Sequence, residues 1–139
     1  MMNNRKTERN SQGFTLMEIM VVIIIIGVLA SLAIPRFLIA LEKTTKVADA
    51  VNILQVLFAA QKRYAIYDLD HLYTSAMNKL DIQIETPQGF LDPSLSTSDP
   101  PGLAQIMRNK PSPYNYTLYI HTDGSITCGG SSICTQLGY

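Results

Sequence analysis

The sequence has no excess charge: among 139 residues, eleven Lys and Arg balance eleven Asp and Glu. Without a basic patch there is no electrostatic footprint for nucleic acid, so no nucleic-acid partner is inferred. Cysteine is scarce, with only Cys128 and Cys134 and GGSSI between them. A single pair at that spacing excludes a paired zinc knuckle. There is no Gly-rich phosphate loop, no internal repeat, and no Ser/His/Asp or Cys/His set in a motif context. No cofactor or metal is therefore expected. Charge is missing above all from FTLMEIMVVIIIIGVLASLAI, residues 14 to 34, where Glu18 is the only ionisable side chain. The length allows one modest domain.

That apolar run is what the sequence does have. Its 21 residues would span about 32 Å as a helix, the thickness of a bilayer's hydrocarbon. Val21 to Ile26 are six β-branched residues in a row, which in water favour a strand. In lipid an open strand leaves its backbone groups unsatisfied, so the run is expected to be helical. Arg5, Lys6 and Arg9 precede it against one acid, Glu8. A chain cut after Gly13 would keep eight basic and ten acidic residues. The basic residues thus read as a topological label on a removable head, residues 1–13.

Beyond Pro35 the pattern becomes amphipathic. Val47, Val51, Leu54 and Phe58 recur at spacings of four and three, flanked by Ala50, Ile53 and Leu57. Lys43, Lys46, Asp49, Asn52 and Gln55 occupy much of the remainder. Nothing from Leu41 to Tyr67 stops a helix. Pro35 lacks an N–H and Gly27 is a weak helix former, so one long helix is expected with soft spots at those two positions.

Six of the seven prolines lie between Pro87 and Pro113, predicting a loop-rich stretch with short strands. YNYTLYIH (114–121) has strand composition, SITC (125–128) reads as the returning strand, and Asp123-Gly124 is a hairpin turn signal. The tail CGGSSICTQLGY reads as a loop. Its cysteines are either two free thiols or, in an oxidising compartment, a bridge worth roughly 2 kcal/mol; the export signals favour the bridge. The expected class is α+β: a long N-terminal helix, membrane-spanning over 14–34 and amphipathic over 35–67, packed on a small antiparallel sheet in a head of residues 68–139.

GFTLMEIMVVIIIIGVLASLAIPRF, residues 13 to 37, resembles the processing and assembly segment of the type IV pilin family, which includes the type II secretion pseudopilins. The family pattern is a short basic leader, a cleavage-site Gly, Phe-Thr-Leu-x-Glu, then an apolar helix with a Pro about twenty residues in. Gly13, Phe14, Thr15, Leu16, Glu18 and Pro35 fill those positions. A weaker likeness runs through the helix to the C-terminal hairpin and a loop bounded by Cys128 and Cys134. The resemblance implies cleavage between Gly13 and Phe14 by a prepilin peptidase, and N-methylation of Phe14 by the same enzyme. It implies a single-pass inner-membrane protein, leader cytoplasmic and head periplasmic, held in membrane lipid before assembly. An assembly platform and other pilins would then add it to a filament of like subunits, an extracellular pilus or a periplasmic pseudopilus.

The resemblance also gives Glu18 a role. A lone acid deep in a membrane helix costs roughly 2.5–3.5 kcal/mol, and the positive helix start offsets part of it. The amine freed at Phe14, with an ordinary pKa near 8, is mostly cationic at pH 7. Pairing of Glu18 with that amine on a neighbouring subunit would reward correct axial register.

Competing readings are weaker. Ser31-Leu32-Ala33 mimics a secretory cleavage site, but the run exceeds a signal core of roughly 7–15 residues. An uncleaved anchor does not account for FTLMEIM. Asp68, Asp70 and His71 match no defined metal loop and read as a solvated patch. His121 reads as a strand residue. Asn115-Tyr116-Thr117 fits a glycosylation acceptor, a pattern too short to carry weight. Tyr64, Tyr67 and Tyr73 are expected to pack the head onto the helix, and Tyr114, Tyr116 and Tyr119 to line the sheet. The leading expectation is a structural subunit of a type IV pilus without catalytic activity. Its alternative is a pseudopilin of a type II secretion system, whose major members often carry a calcium loop near the C-terminus. The only acid there is Asp123 in a turn, which with the Cys128–Cys134 loop favours the pilus. A membrane-anchored enzyme would need a convergent polar site in 68–139, and none is legible.

Overall fold

The computed structural model describes residues 13–70, 72–112 and 114–139. The leader expected over residues 1–13 lies outside the described residues except for Gly13, as does His71 of the Asp68–His71 patch. The first compact unit ends at Phe37, and the second runs Leu38–Tyr139.

Helix α1, Leu16–Leu41, has no buried residue. Val21 to Ile26 lie well inside it, about half exposed. The β-branched run is helical, as lipid requires of a spanning segment. Helical structure continues as a π-helical segment, Glu42–Val47, and helix α2, Ala48–Tyr67. Gly27 and Pro35 were the expected soft spots, yet α1 is assigned straight through both. The departure from α geometry comes seven residues after the proline, at Glu42.

In the second unit, α2 packs on an antiparallel sheet of four strands in the order β1-β2-β3-β4. The strands are β1 Ser94–Leu95, β2 Ala104–Met107, β3 Thr117–Ile120 and β4 Ile126–Gly129. Ala104 pairs with Ile120 and Ile106 with Leu118, so all four present one face. That face meets Ala50, Leu54, Leu57 and Ala60 of α2, each fully buried. A buried Leu contributes roughly 1.5–3 kcal/mol there. The buried stripe is centred on Ala50, Leu54 and Leu57, with Val51, Ile53 and Phe58 at its margins. Gln61 ends it as a fully buried amide. Its Nε2 donates to Thr74 O at 2.6 Å, and Thr74 N donates to its Oε1 at 3.0 Å. The side chain thereby satisfies a peptide group as a strand would, and pins the segment that follows the helix.

The sheet departs from expectation in detail. The 86–113 stretch contributes β1 and β2 as its two short strands. The strand expected over 114–121 is confined to Thr117–Ile120, and its return is shifted by one residue to Ile126–Gly129. His121 begins the turn and is not in a strand. Gly124 takes φ +85°, which glycine adopts freely, and its N–H donates to His121 O at 3.0 Å. The tail is not all loop: α3, Ile133–Leu137, follows β4. Cys128 on β4 and Cys134 on α3 form a disulfide with Cα atoms 5.5 Å apart. Of the tyrosines expected to pack head to helix, Tyr64 does so and Tyr73 is half-buried. Tyr67 is 86% exposed. It lies at the last turn of α2, past the covered stripe.

Candidate assembly segment and buried polar cluster

Thr15 and Glu18 form a reciprocal cap at the start of α1. Glu18 N donates to Thr15 Oγ1 at 3.2 Å, and Thr15 N donates to Glu18 Oε2 at 3.4 Å. The spacing Thr-x-x-Glu is that of a capping box, which satisfies two of the backbone donors that every helix start leaves free. The acid of the apolar run thus has a partner within its own chain, at the end of the helix where negative charge is favoured. Gly13 and Phe14 directly precede the cap. Phe14 is 80% exposed and Leu16 81%. Pro35 sits inside α1. The helical stretch Leu16–Tyr67 includes a window with mean hydropathy 2.8 and is long and apolar enough to cross a membrane.

Glu42 is the first buried residue of the described chain, 9% exposed, and it is charged. Arg108, 2% exposed, faces it just past β2. Arg108 Nε donates to Glu42 Oε1 at 2.6 Å and Nη2 to Oε2 at 3.2 Å, a two-point pairing that fixes both planes. Arg108 Nη1 donates to Gly89 O at 2.8 Å, and Tyr116 O–H donates to Glu42 Oε1 at 3.1 Å. Phe90 lies under the guanidinium, 5.0 Å from its ring centre, and meets Tyr116 edge-on. Burial, and then the Glu42 carboxylate, push the Tyr116 phenol well above its ordinary range. Among the described residues no buried side-chain nitrogen or oxygen lacks a partner. That completeness is what makes a buried ion pair tolerable.

No local sequence pattern marks this cluster. Glu42 and Arg108 are 66 residues apart. The one local hint is an acid at position 42 just upstream of an apolar stripe.

Two polar sets tie down the rest of the head. Asp99 Oδ1 lies 2.7 Å from His121 Nδ1, and His121 Nε2 lies 2.8 Å from Thr127 Oγ1. Thr122 N donates to Asp99 Oδ2 at 2.9 Å. The Thr122 amide first, then His121, hold the Asp99 carboxyl below its ordinary range. This row joins the Pro-rich loop to the hairpin turn. Arg63 makes a two-point pair with Asp81, Nε–Oδ2 3.0 Å and Nη2–Oδ1 2.8 Å, on the exposed side of α2. Among the described residues, Asp68 accepts the Leu72 amide at 3.4 Å. No group of three His, Cys, Asp or Glu gathers among the described residues.

Residues 9–34 match the family described as the prokaryotic N-terminal methylation motif. Similar curated proteins include the type II secretion system core protein G of Escherichia coli (strain K12), 40% identical over 60% of this chain and 54% of that one. The core protein G of Aeromonas hydrophila is 34% identical over 62% of this chain and 58% of that one. The type IV major pilin protein PilA of Myxococcus xanthus (strain DK1622) is 44% identical over 44% of this chain and 27% of that one. The chain spans about half the length, or less, of these relatives. No solved structure matches it.

Proposed function

We propose that this chain is a pilin-like filament subunit of the type II secretion class. It is made as a precursor, cut between Gly13 and Phe14 by a prepilin peptidase, N-methylated on Phe14, and held in the inner membrane by α1 with its head outside the cytoplasm. The observation that carries the reading is the methylation motif over 9–34 joined to a span with no buried residue. In a membrane the apolar face of α1 contacts lipid. In a filament it contacts other copies, with other pilins and an assembly platform as further partners.

The choice of secretion filament over pilus rests on the reach of the similarity. Core G proteins align over 45–62% of this chain, those of Escherichia coli and Aeromonas hydrophila over about 60%, and the pilin over 44%. This reverses the order expected from the sequence, where the Cys128–Cys134 loop favoured the pilus. The second reading, a type IV pilus subunit, keeps the support of that disulfide and of the pilin relative. Deleting the gene in its native host separates them. Loss of secreted enzymes with surface pili intact is the expected result. Loss of surface pili with secretion intact reverts the assignment to a pilus.

Glu18 bridges the two states of the subunit. In the membrane its carboxylate is satisfied by Thr15. In the filament it exchanges that weak 3.4 Å contact for the methylated ammonium of a neighbour's Phe14. A loosely held acid suits this exchange, because little is lost when the cap opens.

A further inference from the structure

The buried positions along the helix run Glu42, Val47, Ala50, Leu54, Leu57, Ala60 and Gln61. From Glu42 to Ala60 their spacings are five, three, four, three and three. Threes and fours keep one face of an α-helix in line. A step of five does so only where the helix carries one extra residue, which is what the π segment Glu42–Val47 supplies. In an unbroken α-helix the residue four before Val47 is Lys43. The same sequence therefore offers Arg108 either of two neighbours, an acid in the π register or a base in the α register.

We propose that Glu42–Val47 is a two-register segment, and that the pairing of Glu42 with Arg108 and Tyr116 selects the π register. The inference goes beyond the filament reading and depends only on this chain's own geometry. Lys43 opposite Arg108 would bury two cations together, which is strongly unfavourable. Glu42 there forms the two-point pair. The segment is also built to accept the irregular register. Thr44 Oγ1 donates to Ala40 O at 2.9 Å and Thr45 Oγ1 to Leu41 O at 2.7 Å. The two hydroxyls serve carbonyls where the helix ladder changes its step. Moving between registers turns the residues directly before the segment, Leu38–Leu41, by about 100° about the helix axis, one residue's angle.

The test inverts the charge that does the selecting. Arg108→Glu should draw Lys43 inward and leave the segment α-helical. The full-length chain in detergent micelles is treated with N-hydroxysuccinimidyl acetate, and acetylation of each lysine is followed by mass spectrometry. Lys43 and Lys79 are both exposed in the native chain and should react within a few-fold of each other. In Arg108→Glu, Lys43 should be protected at least tenfold relative to Lys79. Deleting Thr44 is the second variant. It places Glu42 four positions before Val47, so the pair forms without a π turn. Its melting temperature should equal or exceed that of the native chain, with Lys43 still reactive. An Arg108→Glu chain that fails to fold, or that folds with Lys43 as reactive as Lys79, overturns the inference. So does a Thr44 deletion that lowers the melting temperature.

Discussion

Arg108 Nε stands 2.6 Å from Glu42 Oε1, with the Arg108 side chain 2% and the Glu42 side chain 10% exposed. This pair joins the first buried turn of the long helix to the residue that follows β2. Removing one member leaves the other charged and buried. Glu42→Ala should therefore destabilise the head by about 3–5 kcal/mol, the usual scale for an orphaned buried charge. Tyr116→Phe removes one hydrogen bond to the same oxygen and should cost about 1–2 kcal/mol. Denaturant unfolding of the two variants checks the ordering. Equal losses would mean that the ion pair is not the dominant contact.

Gly89 sits at φ +87°, and a Cβ there would run into Arg108 Nη1. Gly89→Ala should both strain the backbone and push the guanidinium off the Gly89 carbonyl it now bonds. A stability loss of about 2 kcal/mol or more is expected from the same unfolding measurement. A neutral result would show that Arg108 can rearrange freely, which its two-point grip on Glu42 argues against.

Asp99 contributes to the acid sensitivity of the hairpin turn, alongside Asp123 within it. The folded pKa of Asp99 is lowered from 3.8 by the Thr122 amide and by His121. A lowered acid contributes stability that is present above its unfolded pKa and is lost as pH falls through the folded one. Stability should thus decline below about pH 4, and Asp99→Asn should flatten part of that decline. A pH series of unfolding midpoints on both chains tests this. Identical slopes below pH 4 would rule out the Asp99 contribution.

The disulfide ties α3 to β4 across six positions. Replacing both cysteines, Cys128→Ser with Cys134→Ser, should lower stability by about 2 kcal/mol through the unfolded chain's regained freedom. An unchanged melting temperature would show that the buried Ile133 and Leu137 hold α3 unaided.

Much of this architecture could be read from local pattern. The apolar run, the stripe from Val47 to Leu57, and Asp123-Gly124 each encode their element within a few residues, because helix phase and turn conformation are short-range. The pairing of β2 with β3 was not legible. AQIM, residues 104–107, is too short for its alternation to stand out among prolines, and its burial depends on β3 partners 10 to 16 residues away. The π segment escaped for another reason. Pro35 and Gly27 are the residues that weaken a helix intrinsically, whereas Glu42–Val47 is irregular because of what its side chains must face. Glu42 with Arg108 is a tertiary fact that no spacing rule contains. At the N-terminus, Thr15 and Glu18 were named as motif residues, and the Thr-x-x-Glu spacing also encoded their mutual cap.

Glu18→Ala should leave processing intact, since the acid lies beyond the proposed scissile bond, and should abolish or sharply reduce filament assembly. Immunoblotting for the shortened chain, beside the yield of sheared or pelleted filaments, reads the two effects separately. Normal filament yield would remove Glu18 from the assembly mechanism.

The most direct test of the whole account is the N-terminus of the protein taken from its native membrane, read by mass spectrometry. The account predicts a chain that begins with N-methylated Phe14. A chain that begins at Met1, or after Ala33, would contradict it.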